Sequence, residues 1–247
     1  MSLAKHSVAC KDCPLRERKI FRSLDPSELA FVQDFKIGEL EVDPHATVLA
    51  ENQATPHLYT VREGILYRHR TLSDGSRQIL NFLFPGDLAG LQLAMMGDIH
   101  HSITALTHAR LCVFQRSRMW TLFKGYPELA HNVTWIAATQ ETLLDSTIVS
   151  LGQRTAFQRI AHFFVSLYKR AEPVGLAREG VLEIPIRNVH ISEALGITPV
   201  HVSRTLNQLR QSGMVVRDNG FFRLPEMEQL EEAAFWDDHL PPTRPLV

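Results

Sequence analysis

The chain has 247 residues, 45% of them hydrophobic and 21% charged, a composition typical of a globular protein with one large or two ordinary domains. No apolar run approaches the ~20 residues that cross a bilayer, and the N-terminal segment MSLAKHSVAC has no continuous apolar stretch, so we expect neither a membrane span nor a secretion signal. Three cysteines, an odd number, argue against a disulfide framework and favour a cytoplasmic location.

The N-terminal part is predicted to be an arm, residues 1–24, followed by a helix. Asp25-Pro26 is typical of a helix start, and Leu29, Val32 and Phe35 recur at helical spacing. From about residue 36 to 115, short runs rich in Val, Ile, Leu, Tyr and Phe alternate with turn signals such as Asp74-Gly75. We therefore predict a small antiparallel β-barrel or sandwich within residues 25–126.

Residues 127–152 are predicted to form one long helix, because glycine and proline are absent between Pro127 and Gly152. A second apolar stripe, with Ile136, Leu143 and Ile148, is expected to pack on the β domain. Residues that recur in alternating steps of four and three predict a coiled-coil dimer seam: Val133, Ala137, Gln140, Leu144, Thr147 and Leu151. The alternative to a dimerisation helix is the long surface helix of a monomer.

Residues 153–225 carry the pattern of a winged helix. A strand is predicted in VLEIPI, residues 181–186, and a short helix in RNVHISEALG, which Gly196 ends. Thr198 is a good N-cap, and Pro199 suits the first position of a second helix that ends near Gln211. The segment MVVRDNGFFRL then reads as a hairpin. Two helices joined by a tight turn and followed by a hairpin make a winged helix-turn-helix.

The second helix of this motif has two contrasting faces. Val202, Leu206 and Leu209 are expected to be buried. The other face is predicted to read base edges in the major groove of DNA, where Arg204 can bond the O6 and N7 atoms of guanine. The proposed base-reading residues are Arg204, Ser203, Val200 and His201. The proposed phosphate contacts are Thr198, Asn188, Asn207 and Arg217.

The charge distribution agrees with a nucleic-acid partner. Between Arg187 and Arg223 the chain has five arginines and two acids, a net charge of +3, whereas residues 226–247 carry −5. The acidic tail, residues 226–247, is expected to form a further helix or a disordered end. Two alternatives to a nucleic-acid partner remain: the uneven charge is ordinary surface variation, or the winged helix binds another protein. Catalytic motifs such as a P-loop, G-x-S-x-G and H-E-x-x-H are absent from the sequence, so we do not expect an enzyme.

Residues 10–225 together resemble the CRP/FNR family of bacterial transcription regulators. The resemblance rests on LFPGDLAG within the β region, the long helix after it, and ALGITPVHVSRTLNQLRQSGMV. It implies an α+β chain with an N-terminal cyclic-nucleotide-binding-type β-roll, a long dimerisation helix and a C-terminal winged helix-turn-helix. It also implies a homodimer on a palindromic site in double-stranded DNA, with RNA polymerase as a further partner.

The effector pocket that the resemblance implies is degenerate here. It would include Gly86, Leu91, His101 and Ser102, but Leu91 stands where cyclic-nucleotide binders carry a glutamate for the ribose. His101 stands where they carry an arginine for the phosphate. Because a neutral imidazole attracts a phosphate far less than a guanidinium does, we expect no tight binding of cAMP. In the reading helix, Val200 replaces a glutamate, so we expect a different half-site.

The cysteines suggest a possible [4Fe–4S] cluster that senses oxygen or nitric oxide. FNR-type sensors hold such a cluster with N-terminal cysteines and one more cysteine, and Cys10, Cys13 and Cys112 resemble part of that set. A further N-terminal cysteine of that set is missing near Lys19, and the candidates for the fourth ligand are His6 and Asp12. A zinc site, a Cys10–Cys13 disulfide, or no cofactor at all are the alternatives.

Overall fold

The structure, a computed structural model, describes residues 2–3, 7–237 and 241–246 of the chain. The chain divides into two compact units. The first consists of Met1–Gly75, Leu80–Thr142 and Pro242–Val247, and the second consists of Ser76–Ile79 and Leu143–Pro241. Both helices and sheets build the fold, which confirms the predicted α+β class. Among the described residues, no helix is both long enough and apolar enough to cross a bilayer.

Two antiparallel sheets form the roll of the first unit. One has the order β1-β2-β9-β4-β7 and the other has the order β3-β8-β5-β6. The strands are β1 (Ser2–Leu3), β2 (Lys36–Val42), β3 (Thr47–Leu49), β4 (His57–Glu63), β5 (Leu66–Thr71), β6 (Arg77–Leu83), β7 (Leu88–Ala89), β8 (Ser102–Ala105) and β9 (Ala109–Gln115).

Apolar side chains from both sheets fill the inside of this roll. Val61 on β4, Leu66 on β5, Ile103 on β8 and Leu111 on β9 are completely buried in one cluster. Alternate residues of a strand point to the same face, so these positions mark the inner face of each strand. The predicted barrel or sandwich is thus a roll with a continuous core.

The helices of the first unit pack around a second apolar cluster outside the roll interior. They are α1 (Pro26–Phe35), α2 (Leu91–Met96), α3 (Met119–Gly125) and the first half of α4 (Pro127–Gln153). Asp25 caps α1, because its side chain accepts from the backbone N–H groups of Ser27 and Glu28. The cluster includes Phe31, Phe35 and Phe114, and both Cys10 and Cys112 lie in it.

A C-terminal segment of the chain returns to the first unit. Arg244 donates to the carboxylate of Asp87 over 2.6 Å and to the carbonyl of Pro85 over 2.5 Å. Gly86, between them, has a φ of +90°, and a Cβ there would lie 2.4 Å from the ring of Phe21. Glycine is therefore required at this turn because both the backbone conformation and the close ring exclude a side chain.

The long helix α4 spans the boundary between the two units. Ile136 is buried in the cluster outside the roll, as predicted. Val133 is buried in the same cluster, although it was predicted to lie in the dimer seam. Ile148 was expected to pack on the β domain, and this prediction is wrong: its side chain is 67% exposed. At 27 residues the helix extends about 40 Å, and Ile148 lies in the half that belongs to the second unit.

The second unit contains the predicted winged helix-turn-helix. It contains α5 (Ala156–Ala171), α6 (Asn188–Leu195), α7 (Pro199–Gln211) and α8 (Met227–Ala233). Its sheet has the order β10-β11-β13-β12. The strands are β10 (Ala177–Arg178), β11 (Val181–Leu182), β12 (Val216–Asp218) and β13 (Phe221–Arg223).

The strand predicted over residues 181–186 ends at Leu182. Pro185 has no N–H to donate to a neighbouring strand. Ile184 and Ile186 are completely buried and contribute to the core of the unit instead. The strand was therefore predicted correctly up to Leu182, but the strand predicted beyond that residue was wrong.

The acidic tail begins with a short helix that packs on the second unit. In α8, Leu230 is completely buried, and Glu231 forms an ion pair with Lys169 over 2.7 Å. Trp236 lies with its ring 5.2 Å from that of His162 on α5. Of the two predicted alternatives, the further helix is the one observed for residues 227–233, whereas residues 238–240 lie outside the described part.

Candidate nucleic-acid interface

Helix α7 carries the predicted reading face. The hydroxyl of Thr198 accepts from the backbone N–H of His201 over 3.2 Å, and Pro199 occupies the first turn. Val202, Thr205 and Leu209 are buried. Leu206 was expected to be buried with Val202 and Leu209 but is only half-buried. Thr205, one position earlier, lies on the buried face of the helix instead.

The opposite face of α7 is open to solvent. Val200 is 70% exposed, and His201, Ser203 and Arg204 are exposed as well. Arg204 has no hydrogen bond or ion pair with any described residue of the chain. Its guanidinium thus keeps all five N–H donors available for a partner outside the chain.

Polar side chains from α6 and α7 meet beside this face. The Asn188 amide donates to the Ser203 hydroxyl over 2.9 Å, and Ser203 donates in turn to the Pro199 carbonyl over 3.0 Å. The Asn207 carbonyl oxygen accepts from the Arg210 guanidinium over 2.9 Å. These bonds orient the side chains. Because asparagine is uncharged, the bond from Arg210 to Asn207 leaves the positive charge of Arg210 unbalanced.

A shallow cavity of about 220 Å³ opens between α7 and the wing. Its lining includes Asn188, Ser203, Asn207, Arg210 and Arg217. Arg210 was not among the residues selected from the sequence. Its position three residues after Asn207 would have placed it on the same side of the helix.

The wing is formed by the predicted turn between β12 and β13. Asn219 and Gly220 have φ values of +48° and +87°, the pair of positive angles that a tight hairpin requires. Arg217 on β12 lies over the ring of Phe222, with 5.3 Å from the guanidinium carbon to the ring centroid. Its charged end is exposed next to the cavity.

Comparison with known proteins places both units in known families. Residues 158–233 match the model of the Crp-like helix-turn-helix domain, and residues 39–126 match the model of the cyclic nucleotide-binding domain. The chain is 30% identical to the nitrogen fixation regulation protein FixK of Rhizobium meliloti (strain 1021), over 70% of this chain and 75% of that protein. The chain belongs to the CRP/FNR family of transcription regulators.

Other members of the CRP/FNR family match over longer stretches. FixK of Bradyrhizobium diazoefficiens is 28% identical over 91% of this chain and 93% of its own length. The solved structure of FixK2 from Bradyrhizobium japonicum superimposes with a TM-score of 0.72 at 25% identity, over 79% of this chain and 96% of that one. These relatives are transcription regulators and not enzymes, which confirms the prediction made from the missing catalytic motifs.

The four residues of the degenerate effector pocket do not share one environment. Gly86 faces Phe21 and Arg244. Leu91 packs on the cluster outside the roll interior. Ser102 accepts from the backbone N–H of Glu51 over 3.0 Å, whereas His101 is buried and accepts from Arg68 over 3.1 Å.

The three cysteines are brought near one another, but not as a metal site. Cys10 and Cys112 are buried in one cluster, and Cys13 is half-buried. Burial raises the pKa of Cys112 to about 12 and raises that of Cys10 above its usual range, which disfavours the thiolates that iron requires. In the described part of the chain, no three potential ligands are arranged to hold a metal ion. These residues therefore do not fit a cluster as they stand, and His6 lies outside the described residues.

The predicted dimer seam is only partly free. Gln140 accepts from the amide of Asn81 over 2.5 Å. Leu144 and Leu151 are half-buried. Ile148 shares their side of the helix and is exposed. The apolar surface that α4 leaves uncovered in a single chain is thus centred on Ile148.

Proposed function

We propose that this CRP/FNR regulator binds palindromic promoter DNA as a homodimer through the exposed face of α7, with Arg204 as the main base-reading residue. The observation that carries the proposal is that the guanidinium of Arg204 has no partner among the described residues and lies on a helix whose opposite face is buried. Ser203, Val200 and His201 would read neighbouring base edges. Regulation at promoters would take place in the cytoplasm, with RNA polymerase as a further partner.

Phosphate contacts are proposed on either side of the reading helix. Thr198 caps the N-terminal end of α7, and Asn188, the first residue of α6, donates to Ser203 on α7. Asn207 lies in the cavity, and Arg217 lies on the wing. Arg210 joins this set because it shares the cavity and keeps a free charge that Asn207 does not neutralise. Such contacts orient the protein on the duplex without reading sequence.

Binding to a pool of random duplexes at increasing salt tests the proposal. We expect selection of a palindrome with half-sites about 34 Å apart. The affinity should fall steeply with salt concentration, because each phosphate contact contributes a slope of about −0.9 in log K against log salt. A winged helix that binds another protein would select no duplex, and that outcome would exclude the DNA-reading role.

The signal that this regulator senses is a separate question. The iron–sulfur hypothesis is supported by the position of Cys10 and Cys112 in one cluster, and it is opposed by their burial and by the missing fourth ligand. We therefore expect protein purified without oxygen to be colourless, to contain neither iron nor zinc, and to have three reactive thiols after unfolding. A broad visible absorption band with bound iron would establish the cluster. Bound zinc, or only one reactive thiol, would establish the zinc site or the Cys10–Cys13 disulfide.

A further inference from the structure

The C-terminal segment binds the first unit as an extended peptide. Arg244 forms a parallel bridge with Phe21. The backbone N–H of Arg244 donates to the carbonyl of Ile20 over 2.7 Å, and its carbonyl accepts from the N–H of Arg22 over 2.9 Å. Leu246, two residues later, is only 4% exposed. Main-chain hydrogen bonds and a buried side chain thus hold the segment, in the way that a domain holds a peptide added beside one of its extended segments.

Three different groups bind the side chain of Arg244. Its Nη1 donates to Oδ1 of Asp87 over 2.6 Å, and its Nη2 donates to the carbonyl of Pro85 over 2.5 Å. The guanidinium carbon lies 5.0 Å from the ring centroid of Phe21, within the range of a cation–π contact. The Asp87 side chain is 4% exposed and that of Arg244 is 20% exposed, so this ion pair is largely shielded from water. Such a site selects an arginine strongly, because the loss of one charge would leave the other one buried.

The turn that binds the guanidinium is fixed by hydrogen bonds of its own. The N–H of Gly86 donates to the carbonyl of Val61 over 2.7 Å, and the N–H of Val61 donates to the carbonyl of Asp87 over 3.0 Å. The second carboxylate oxygen of Asp87 accepts from the N–H of Phe84 over 2.8 Å. These bonds do not involve the C-terminal segment. The turn and its carboxylate therefore keep their positions when the segment leaves, which makes the site preorganised.

The segment itself has the sequence of a preorganised ligand. Prolines occupy positions 241, 242 and 245, and each fixes its own φ near −65°. Because Arg244 precedes Pro245, its backbone is biased toward the extended conformation that the bridge with Phe21 requires. The segment therefore loses little conformational entropy when it binds. Chain ends open locally at a free energy well below that of global unfolding, so the segment can leave while the roll stays folded.

We propose that residues 20–22 and the turn Pro85–Asp87 form a peptide-binding site, and that the C-terminal segment 242–246 is its resident, displaceable ligand. The site selects an extended peptide in which an arginine is followed, two residues later, by a leucine. The partner that this surface fits is a protein that displays such a segment and competes with the chain's own C-terminus. The inference goes beyond the proposed DNA-reading role, since the site contains no residue of α7 or of the wing.

Binding of a labelled synthetic peptide with the sequence of residues 241–247, PPTRPLV, tests the proposal. In full-length Arg244→Asp, a new carboxylate beside Asp87 should expel the resident segment and open the site. We expect fluorescence anisotropy to show peptide binding to this variant, and binding at least about tenfold weaker to the parent, because the tethered segment competes at an effective concentration on the order of 1 mM. A peptide with glutamine in place of its arginine should bind Arg244→Asp roughly thirtyfold more weakly, since it lacks the charge that pairs with Asp87.

Arg178→Asp is the matched control, because it makes the same change of charge at a side chain that is 82% exposed; it should bind the peptide as weakly as the parent does. If Arg244→Asp does not fold, Leu246→Asp replaces it, since a charge at this buried position should also expel the segment. Equal binding to the parent and to the opened variant, no binding to either, or equal binding of the glutamine peptide overturns the proposal. The measurement requires no DNA, so its outcome is independent of whether α7 reads a promoter.

Discussion

Replacement of Arg204 with alanine is expected to lower the affinity for the selected palindrome by a factor of about 30 to 10⁴. A bidentate arginine–guanine pair contributes roughly 1–3 kcal/mol of discrimination, and a symmetric dimer would lose two such pairs. Because Arg204 is exposed and has no partner among the described residues, its removal should leave folding unchanged. Affinity for random DNA should fall far less, so the ratio of specific to non-specific binding should collapse. Gel-shift titrations on both duplexes measure this ratio.

Arg217→Ala is the contrasting variant, since the wing arginine is proposed to contact phosphate only. It should weaken binding to both duplexes by a similar factor and reduce the salt slope by about one per half-site. Arg204→Lys should behave like the alanine variant at the specific site, because a lysine cannot form two parallel bonds to guanine. If Arg204→Ala bound the palindrome as tightly as the parent, the proposed reading face would be wrong.

Replacement of Ile148 with glutamate is expected to convert the proposed homodimer to a monomer and to weaken DNA binding by about 10²–10⁴-fold. Ile148 and its neighbour Val149 are 67% and 52% exposed in the single chain, so α4 presents two adjacent apolar side chains that a dimer interface would bury. In a symmetric interface each substitution occurs twice, and the two carboxylates would lose water next to apolar surface. A monomer binds one half-site and loses the gain from simultaneous binding of two. Sedimentation and gel shifts measure the two effects.

Thr142→Glu is the matched control for this experiment. It introduces the same charge on α4 at an exposed position about 120° around the helix from Ile148. This variant should remain dimeric and bind DNA as the parent does. Dimers of unchanged stability in Ile148→Glu would exclude this side of α4 as the interface.

Short-range signals were enough to predict the DNA-binding half. Thr198 caps α7, Pro199 occupies its first turn, and Asn219-Gly220 closes the wing, as the sequence indicated. Each signal depends on the backbone conformation of a few consecutive residues. The fold class and the family resemblance rested on the order of the elements together with the segments LFPGDLAG and ALGITPVHVSRTLNQLRQSGMV. Both are confirmed by the comparisons.

Pairing between distant segments decided what sequence reasoning missed. Arg68 lies in the run GILYRHR, where an arginine looks like an ordinary solvent-facing residue of a strand. Its burial depends on the β5–β8 register. In the same way, Arg244 appears as an isolated charge in an acidic tail until its contact with Asp87 is known. Periodicity along one segment contains no information about either partner.

The amino-acid order alone was sufficient for a winged helix with an outward arginine, because capping, turn formation and helical periodicity are local. It also indicated the roll and the long helix. Three features could be determined only from the tertiary structure. They are the side of α4 that remains uncovered, the burial of the Cys10 and Cys112 thiols in one cluster, and the enclosure of Arg68 in the roll. The physical reason is that burial is a property of surfaces that meet in space, and a residue's chemistry changes when its neighbour across a sheet, rather than along the chain, removes it from water.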